Sequence, residues 1–461
     1  MLVSLNCNRL VNATDTLTSL SARLPAGAFG SCPKPVMEAS HAWSVKAEEN
    51  PDLFRRFTYP TQLRSILRRL SSERLPHCPA STLALIRNAT TGTNAVLRGI
   101  PWQEGDHILC LSTVYGALDR TIDYIIEHSA TSGTPKPTKV TMEVTYPISH
   151  EELLKTFTAK LSALRSEGKR VRLATFDAVS SHPGVLLPWE RLCVLCREHN
   201  VLSLVDAAHA FGQIDCSLLG SSAAPADFWV SNVHKWSFAP RGCAIFYVPA
   251  QNRHFVPSTL PTSWGWKAKA SSSLATPGVA ADEEWAAAWR DPGTDQVSHY
   301  LSVDAALDFV RDRLGGEERV RRYNTSLARI GGAEVARILG TEILDVEGKE
   351  EERLTACMVT VRLPLVSRAI GPDATKWVWQ MGGEGFFFET LQDDFATNIP
   401  ILAHNNRVYA RLSAQVWLDV DDFAYAGRAL KEVCRRVNEG DMPAAKASVG
   451  AEAAGQPVEA A

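Results

Sequence analysis

The chain has 461 residues, of which 45% are hydrophobic and 21% charged, a balance that fits a large soluble globular protein with more than one domain. Its formal net charge of −3 excludes the basic footprint of a nucleic-acid or anionic-membrane binder. There is no run of about 18 apolar residues to span a bilayer, and ten cysteines in so long a chain are too sparse for a disulfide framework, which points to a reducing, cytoplasmic setting.

The first 23 residues show no clear period and read as a loose arm. They lack the continuous apolar stretch of a signal peptide. From about Pro33 to Leu70 the pattern is helical, interrupted by Pro51 and Pro60. Strands and helices then alternate. STLALI (81–86), HILCLS (107–112), KVTMEVTY (139–146), VRLATFD (171–177), VLSLVDAA (201–208), DFWVSN (227–232) and CAIFYV (243–248) read as strands. Helices are predicted between the earlier ones: around NAVLRGI, over ALDRTIDYIIEHS, over EELLKTFTAKLSALRSEG as far as Gly168, and over PWERLCVLCREHN. Strands this apolar, separated by helices, predict an α/β fold with a mostly parallel sheet covered on both faces. Cys193 and Cys196 have CxxC spacing, but they lie inside the last of these helices, with no second pair at zinc spacing. They read as buried core thiols.

Residues 267–289 are rich in Ala and Ser and read as a surface excursion. A long helix is predicted near Ser302–Arg313. The composition after about residue 318 fits a smaller α/β domain with strands near CMVTVRL and YARLSAQV, and the Ala-rich tail after Met442 reads as disordered. The expected division is an arm (1–23), a large domain (24–317), a small domain (318–440) and a tail (441–461).

Ligands of open α/β sheets bind beyond the carboxyl ends of the strands, and three groups fall there. RNATTGTN (87–94) follows a strand and opens a helix, so its amides and hydroxyls can hold an anion, although many such turns only cap helices. Asp206 and His209, in VDAAH, close an apolar strand. The carboxylate there is either a helix N-cap or the partner of a protonated heterocycle nitrogen. Lys235, in SNVHKW, closes the next strand, where an amine is either a surface residue or a reactive group. Together these parts match what pyridoxal 5′-phosphate (PLP) needs: an amine for a Schiff base, an acid opposite the ring nitrogen and donors for the phosphate.

ATTGTN, VDAAHAFG, SNVHKW and RGCAIFYV resemble the class V aminotransferase family, which includes cysteine desulfurases and isopenicillin N epimerases. The resemblance spans roughly residues 24–437. Within the family, STVYGALDRTIDYIIE, SEGKRVRLATFDAVSSHPGV, SNVHKWSFAPRGCAIFYVP, STLPTSWG, LGGEERVRRYN and YARLSAQVWLDVDDF are similar to the fungal hercynylcysteine sulfoxide lyases of ergothioneine biosynthesis. The resemblance implies PLP fold type I, PLP-dependent C–S cleavage of an amino-acid substrate and a homodimer. It implies Lys235 as the Schiff-base lysine, Asp206 as partner of the pyridine nitrogen and His209 near the cofactor's phenolic oxygen. Thr90, Thr91, Ser231 and His234 fall at the phosphate and Ser180 near the cofactor face. Thr294 falls at a turn that reaches the phosphate of the neighbouring subunit. Tyr115 falls where relatives place an aromatic over the ring and is a candidate general acid. Arg411 matches the arginine that grips the substrate α-carboxylate, a task suited to its bidentate fork. No metal site is expected, and no loop cysteine stands out as a persulfide carrier. One stretch departs from the family: LPAGAFG (24–30) has Pro25 and Ala26 where relatives carry Asn and His. That departure favours a second reading, an isopenicillin N epimerase-like or other secondary-metabolism enzyme using the same cofactor, while a third, a catalytically silent scaffold, is opposed by Lys235, Asp206, Tyr115 and Arg411 occurring together.

Overall fold

The computed structural model describes residues 29–442 except 134, 267–279, 282 and 349. The arm, most of LPAGAFG, most of the 267–289 excursion and the tail therefore lie outside the described residues. A seven-stranded sheet forms the centre, in the order β1-β7-β6-β5-β4-β2-β3. Its strands are β1 (Leu83–Ile86), β2 (Asp106–Leu111), β3 (Thr138–Met142), β4 (Arg170–Asp177), β5 (Leu202–Asp206), β6 (Phe228–Asn232) and β7 (Ala244–Tyr247). Pairing is parallel from β3 through β2, β4 and β5 to β6, and only β7 runs against its neighbours β6 and β1. This is the expected mostly parallel sheet. β6 is buried at every residue, with Phe228 and Trp229 fully so, because helices cover both faces.

The strands are shorter than the apolar runs that announce them. STLALI begins with a 3₁₀ turn, Ala80–Thr82, before β1. KVTMEVTY leaves the sheet after Met142, and its last residues run along the top of the site. The N-terminal helical segment breaks where its prolines predict. Lys34–Glu49 ends at Asn50, whose side chain caps the turn started by Pro51, and a π-turn over Phe54–Thr58 leads into the helix Tyr59–Glu73. The helix expected near 302–313 is Val303–Asp308 followed by a π-turn, Phe309–Arg313.

Beyond it, the helix Glu317–Leu339 packs with the helix Val420–Glu439 against a three-stranded antiparallel sheet in the order β8-β10-β9: β8 (Met358–Arg362), β9 (Ile401–His404) and β10 (Arg407–Ser413). Gly331 and Gly332 allow that packing, since a Cβ there would lie 2.4 Å from Phe423 and 2.5 Å from Val359. The nine described cysteines are all free, and Cys193 and Cys196 are buried in the helix Trp189–Glu198. Among the described residues no helix is long and apolar enough to cross a membrane.

Candidate active site

β6 ends at Asn232 and the chain turns at once into a single helical turn, Val233–Trp236, which carries Lys235. The Val233 N–H bonds Cys243 O at 3.0 Å, tying the turn to the start of the returning strand. Asn232 Oδ1 accepts the Ala89 N–H at 2.9 Å, which pins the next helix beside it. Gly30, at φ +71°, lies directly on this turn. A Cβ there would fall 1.7 Å from His234 O, so only glycine fits. The last residue of the departing segment, Gly30, thus packs against the backbone of the lysine turn.

The Lys235 Nζ lies 2.9 Å from His209 Nε2. Burial pushes its pKa down to about 8, with Asp206 pulling it back up, Arg411 adding to the fall and Asp177 opposing it. On its other edge, His209 Nδ1 accepts from Trp236 Nε1 at 3.3 Å. An indole can only donate, so a neutral His209 carries its proton on Nε2, facing the amine. Burial, together with the nearby cations Lys235 and Arg411, holds His209 well below the usual histidine range, which favours this neutral form. With its pKa lowered to about 8, Lys235 gives up its proton far more readily than a free lysine, which poises it as a nucleophile.

Asp206 is the last residue of β5 and is 4% exposed. Its Oδ1 accepts the Ala208 N–H at 2.9 Å, which shapes the VDAAH turn. Burial raises its carboxyl pKa, while the Ala208 N–H and Lys235 oppose the rise. Directly across the ladder stands Asp177, the last residue of β4 and the register partner of Asp206. It is 3% exposed and its Oδ2 has no hydrogen-bond partner.

Arg411 comes from β10, opposite Thr360 of β8, so the smaller sheet supplies it. Its Nη1 donates to Ser181 O and, at 3.3 Å, to Ser181 Oγ, and its Nε is buried without a partner. Burial pushes the guanidinium down to about 10, with Tyr115 opposing. Gly184, at φ +81°, makes room for it: a Cβ there would lie 2.8 Å from Arg411 Cδ. Tyr115 sits at the N-cap of the helix Gly116–Ser132 and is 43% exposed.

Lys235, Tyr115 and Arg411 share one cleft of about 1250 Å³. Its floor includes Ser181 and His182, and its outer wall carries Trp379, Glu384 and Phe388. The structure therefore brings the three expected chemical groups together, with Asp206 and His209 packed around the lysine. The remaining expected residues divide. Thr90 and Thr91 open the helix Ala89–Gly99 beside the end of β6, where Asn88 Oδ1 accepts the Thr91 N–H at 2.9 Å and its hydroxyl at 3.0 Å. With the Ala89 N–H given to Asn232 and the Thr91 N–H to Asn88, the Thr90 N–H and the positive end of the helix remain for an anion. His234 is half-buried and donates from Nδ1 to Cys243 O at 2.8 Å.

Ser231 is fully buried. Its hydroxyl donates to Ala207 O and accepts the Phe211 N–H at 3.0 Å, so the protein backbone uses both of its roles. Ser180 is also fully buried, and its Oγ accepts the Val185 N–H at 3.1 Å. Thr294 is exposed in a segment held by Arg55, which bonds Gly293 O at 3.1 Å and Asp295 O at 3.3 Å; it does not line this chain's cleft.

Sequence reasoning missed Asp177, His182, Trp379, Glu384 and Phe388. Asp177 carried the same signal as Asp206, a carboxylate ending an apolar strand. Burial, with Arg411 and Lys235 nearby, pushes His182 down to about 3, so a neutral imidazole faces the cleft. Its ring lies 6.1 Å from that of Trp379. No spacing in the sequence pairs those two residues. Among the described residues no cluster could hold a metal ion.

The residue set fits PLP on its own terms. A buried amine of lowered pKa opens on the cleft, a buried carboxylate stands beside it, and Arg411 Nε and Asp177 Oδ2 are buried polar atoms without partners. Comparison with known proteins agrees. The family described as Aminotransferase class-V matches residues 74–364. The L-cysteine desulfhydrase-like protein lolT1 of Epichloe uncinata is 33% identical over 91% of this chain and 94% of its own length. The hercynylcysteine sulfoxide lyase of Schizosaccharomyces pombe is 26% identical over 77% of this chain and 80% of its own. The solved complex of the cystine C–S lyase C-DES with its product cysteine persulfide superposes with a TM-score of 0.66 at 18% identity, over 90% of this chain and 98% of that one. The chain belongs to the class V aminotransferase family of PLP-dependent enzymes.

Proposed function

We propose that the protein is a C–S lyase that cleaves a cysteine-conjugate sulfoxide of the hercynylcysteine type by β-elimination. The observation that carries the reading is the convergence of Lys235, Tyr115 and Arg411 on one cleft, with the lysine amine poised near pH 8. PLP, when bound, supplies the electron sink that stabilises negative charge at the substrate's Cα. Arg411 grips the α-carboxylate through the guanidinium edge that Ser181 leaves free. Lys235 removes the Cα proton as general base. Tyr115 donates a proton to the departing sulfur, so a sulfenic acid leaves as the Cβ–S bond breaks. The released 2-aminoacrylate hydrolyses to pyruvate and ammonia.

With PLP bound, Asp206 would pair with the ring nitrogen, and Thr90, Thr91 and His234 would hold the phosphate. His209 orients the Lys235 amine, and Ser180 would brace the wall near the cofactor face. Ser231, whose hydroxyl is committed to Ala207 and Phe211, braces the turn below Asp206. Thr294 serves the phosphate site of a second subunit in a homodimer. The cleft, at about 1250 Å³, exceeds the roughly 300–1,000 Å³ usual for a small-ligand site, which suits cofactor plus a bulky conjugate better than cofactor plus cysteine.

The test is product analysis with purified protein and PLP. Hercynylcysteine sulfoxide with a thiol reductant should yield ergothioneine and pyruvate, and Lys235→Ala should yield neither. Sulfide and pyruvate from L-cysteine alone would replace this substrate with free cysteine, a second reading favoured by the higher identity to the desulfhydrase-like relatives. Inversion at Cα of isopenicillin N without C–S cleavage would replace the lyase reading with an epimerase.

A further inference from the structure

Two strands that end in the same row each end in aspartate. Asp177 of β4 and Asp206 of β5 are register partners, and register partners on neighbouring strands stand about 4.8 Å apart with side chains on the same face. Both carboxyls are buried, at 3% and 4% exposure. Asp206 has a backbone donor in Ala208, whereas Asp177 Oδ2 has none. A buried carboxylate oxygen without a donor is costly as an anion, and two carboxylates this close do not ionise together at neutral pH.

The titratable groups facing Asp177 are Asp206 on β5, Lys235 beyond β6 and Tyr146 beyond β3. Lys235 is the only cation among them, and it already answers Asp206. Burial, with Asp206 adding to it, pushes the Asp177 carboxyl well above the usual carboxylate range, against the opposing pull of Lys235.

We propose that Asp177 is a positioning residue of the cofactor floor: it is kept as a neutral carboxylic acid so that one negative charge, on Asp206, faces the ring nitrogen. The pair acts as a dyad that holds one proton, with the proton on Asp177. This role rests on the PLP reading for its purpose, but not for its first test.

That test uses the cofactor-free protein. A carboxyl whose folded pKa lies above its unfolded value near 3.9 binds its proton more tightly in the folded state. Folded stability therefore falls as pH rises from about 4 through the folded pKa. Asp177→Asn keeps the shape and removes the titration. The Tm advantage of Asp177→Asn over the wild type should widen by roughly 2 °C or more between pH 5 and 8. A difference that is flat, or that narrows with pH, overturns the proposal. Should Asp177→Asn fail to fold, Asp177→Ser is measured in the same way.

The second test uses the PLP-loaded protein at pH 7. In the infrared difference spectrum of wild type minus Asp177→Asn, the carbonyl band of a protonated carboxylic acid, identified by its shift in deuterium oxide, should appear as a feature of the wild type alone, since the raised Glu190 carboxyl is common to both proteins and cancels. A difference spectrum without that band also overturns the assignment. Failure to load PLP would count against the cofactor reading, and the stability arm would still decide the dyad.

Discussion

Around Lys235 the polar groups hold one another in place, whereas along the outer wall of the cleft the Phe388 ring stands in solvent and Trp379 is half-buried. The floor is assembled from the ends of β4, β5 and β6, each reached through a fully buried run, and its groups are fixed by neighbours: His209 by Trp236, Asp206 by Ala208, Lys235 by His209. The wall comes from the far end of the chain. Phe388 is 56% exposed there, and the Trp379 ring packs against that of His182 on the floor. Rigid chemistry and adaptable recognition are thus carried by different parts of the sequence.

The comparison is tested most severely at the floor. Lys235→Ala should lower pyruvate formation from every substrate by roughly 10³-fold or more, as expected when the base and the cofactor anchor are lost together. Steady-state rates on L-cysteine and on a sulfoxide conjugate should fall alike. If one substrate escaped the loss, the floor would not be common to both reactions.

Tyr115 tests the border between the two regions. Tyr115→Phe keeps the ring and removes the proton. The expected loss in kcat is about 10²-fold, with KM within a few-fold, because general acid catalysis acts in the transition state. A leaving group of lower pKa should recover much of the rate. An unchanged kcat would make Tyr115 a packing residue of the wall.

Arg411→Lys should act chiefly on KM. Replacing a bidentate fork with a point charge should lower kcat/KM by about 10–150-fold, since a charge-assisted hydrogen bond contributes roughly 1.5–3 kcal/mol. A substrate analogue lacking the α-carboxylate should lose this difference between the two proteins. Equal losses on both substrates would place Arg411 in the fold alone.

How much of this was legible follows the same division. The parallel sheet, the SNVHKW turn and the Asp206–His209 pair could be read because burial on both faces forces continuous apolar runs, and a charge at the end of such a run stands out. Asp177 was equally visible in VRLATFD and was passed over, because its meaning depends on a register that the sequence does not state. Ser231 was expected at the phosphate, but a β6 residue so deep in the sheet turns its hydroxyl to backbone atoms of the neighbouring turn. The wall was not legible at all. Trp379, Glu384 and Phe388 lie in the helices Ala374–Trp379 and Gly383–Phe395, 144 to 153 residues after Lys235, and only tertiary packing brings them to it.

The smallest expected effect tests the wall itself. Trp379→Ala removes an aromatic surface beside His182 without touching Lys235, Asp206 or Arg411. On a bulky cysteine conjugate, kcat/KM should fall about 10-fold, in line with the roughly 0.5–1.5 kcal/mol of an aromatic contact and the apolar area lost with it. On L-cysteine, which is too short to reach from Arg411 across a cleft of about 1250 Å³, the change should stay within about twofold. It is the ratio of the two values, rather than either alone, that locates Trp379. Equal falls would mean that Trp379 supports His182 and the floor behind it, and the division between a fixed floor and a selective wall would then have to be redrawn through His182.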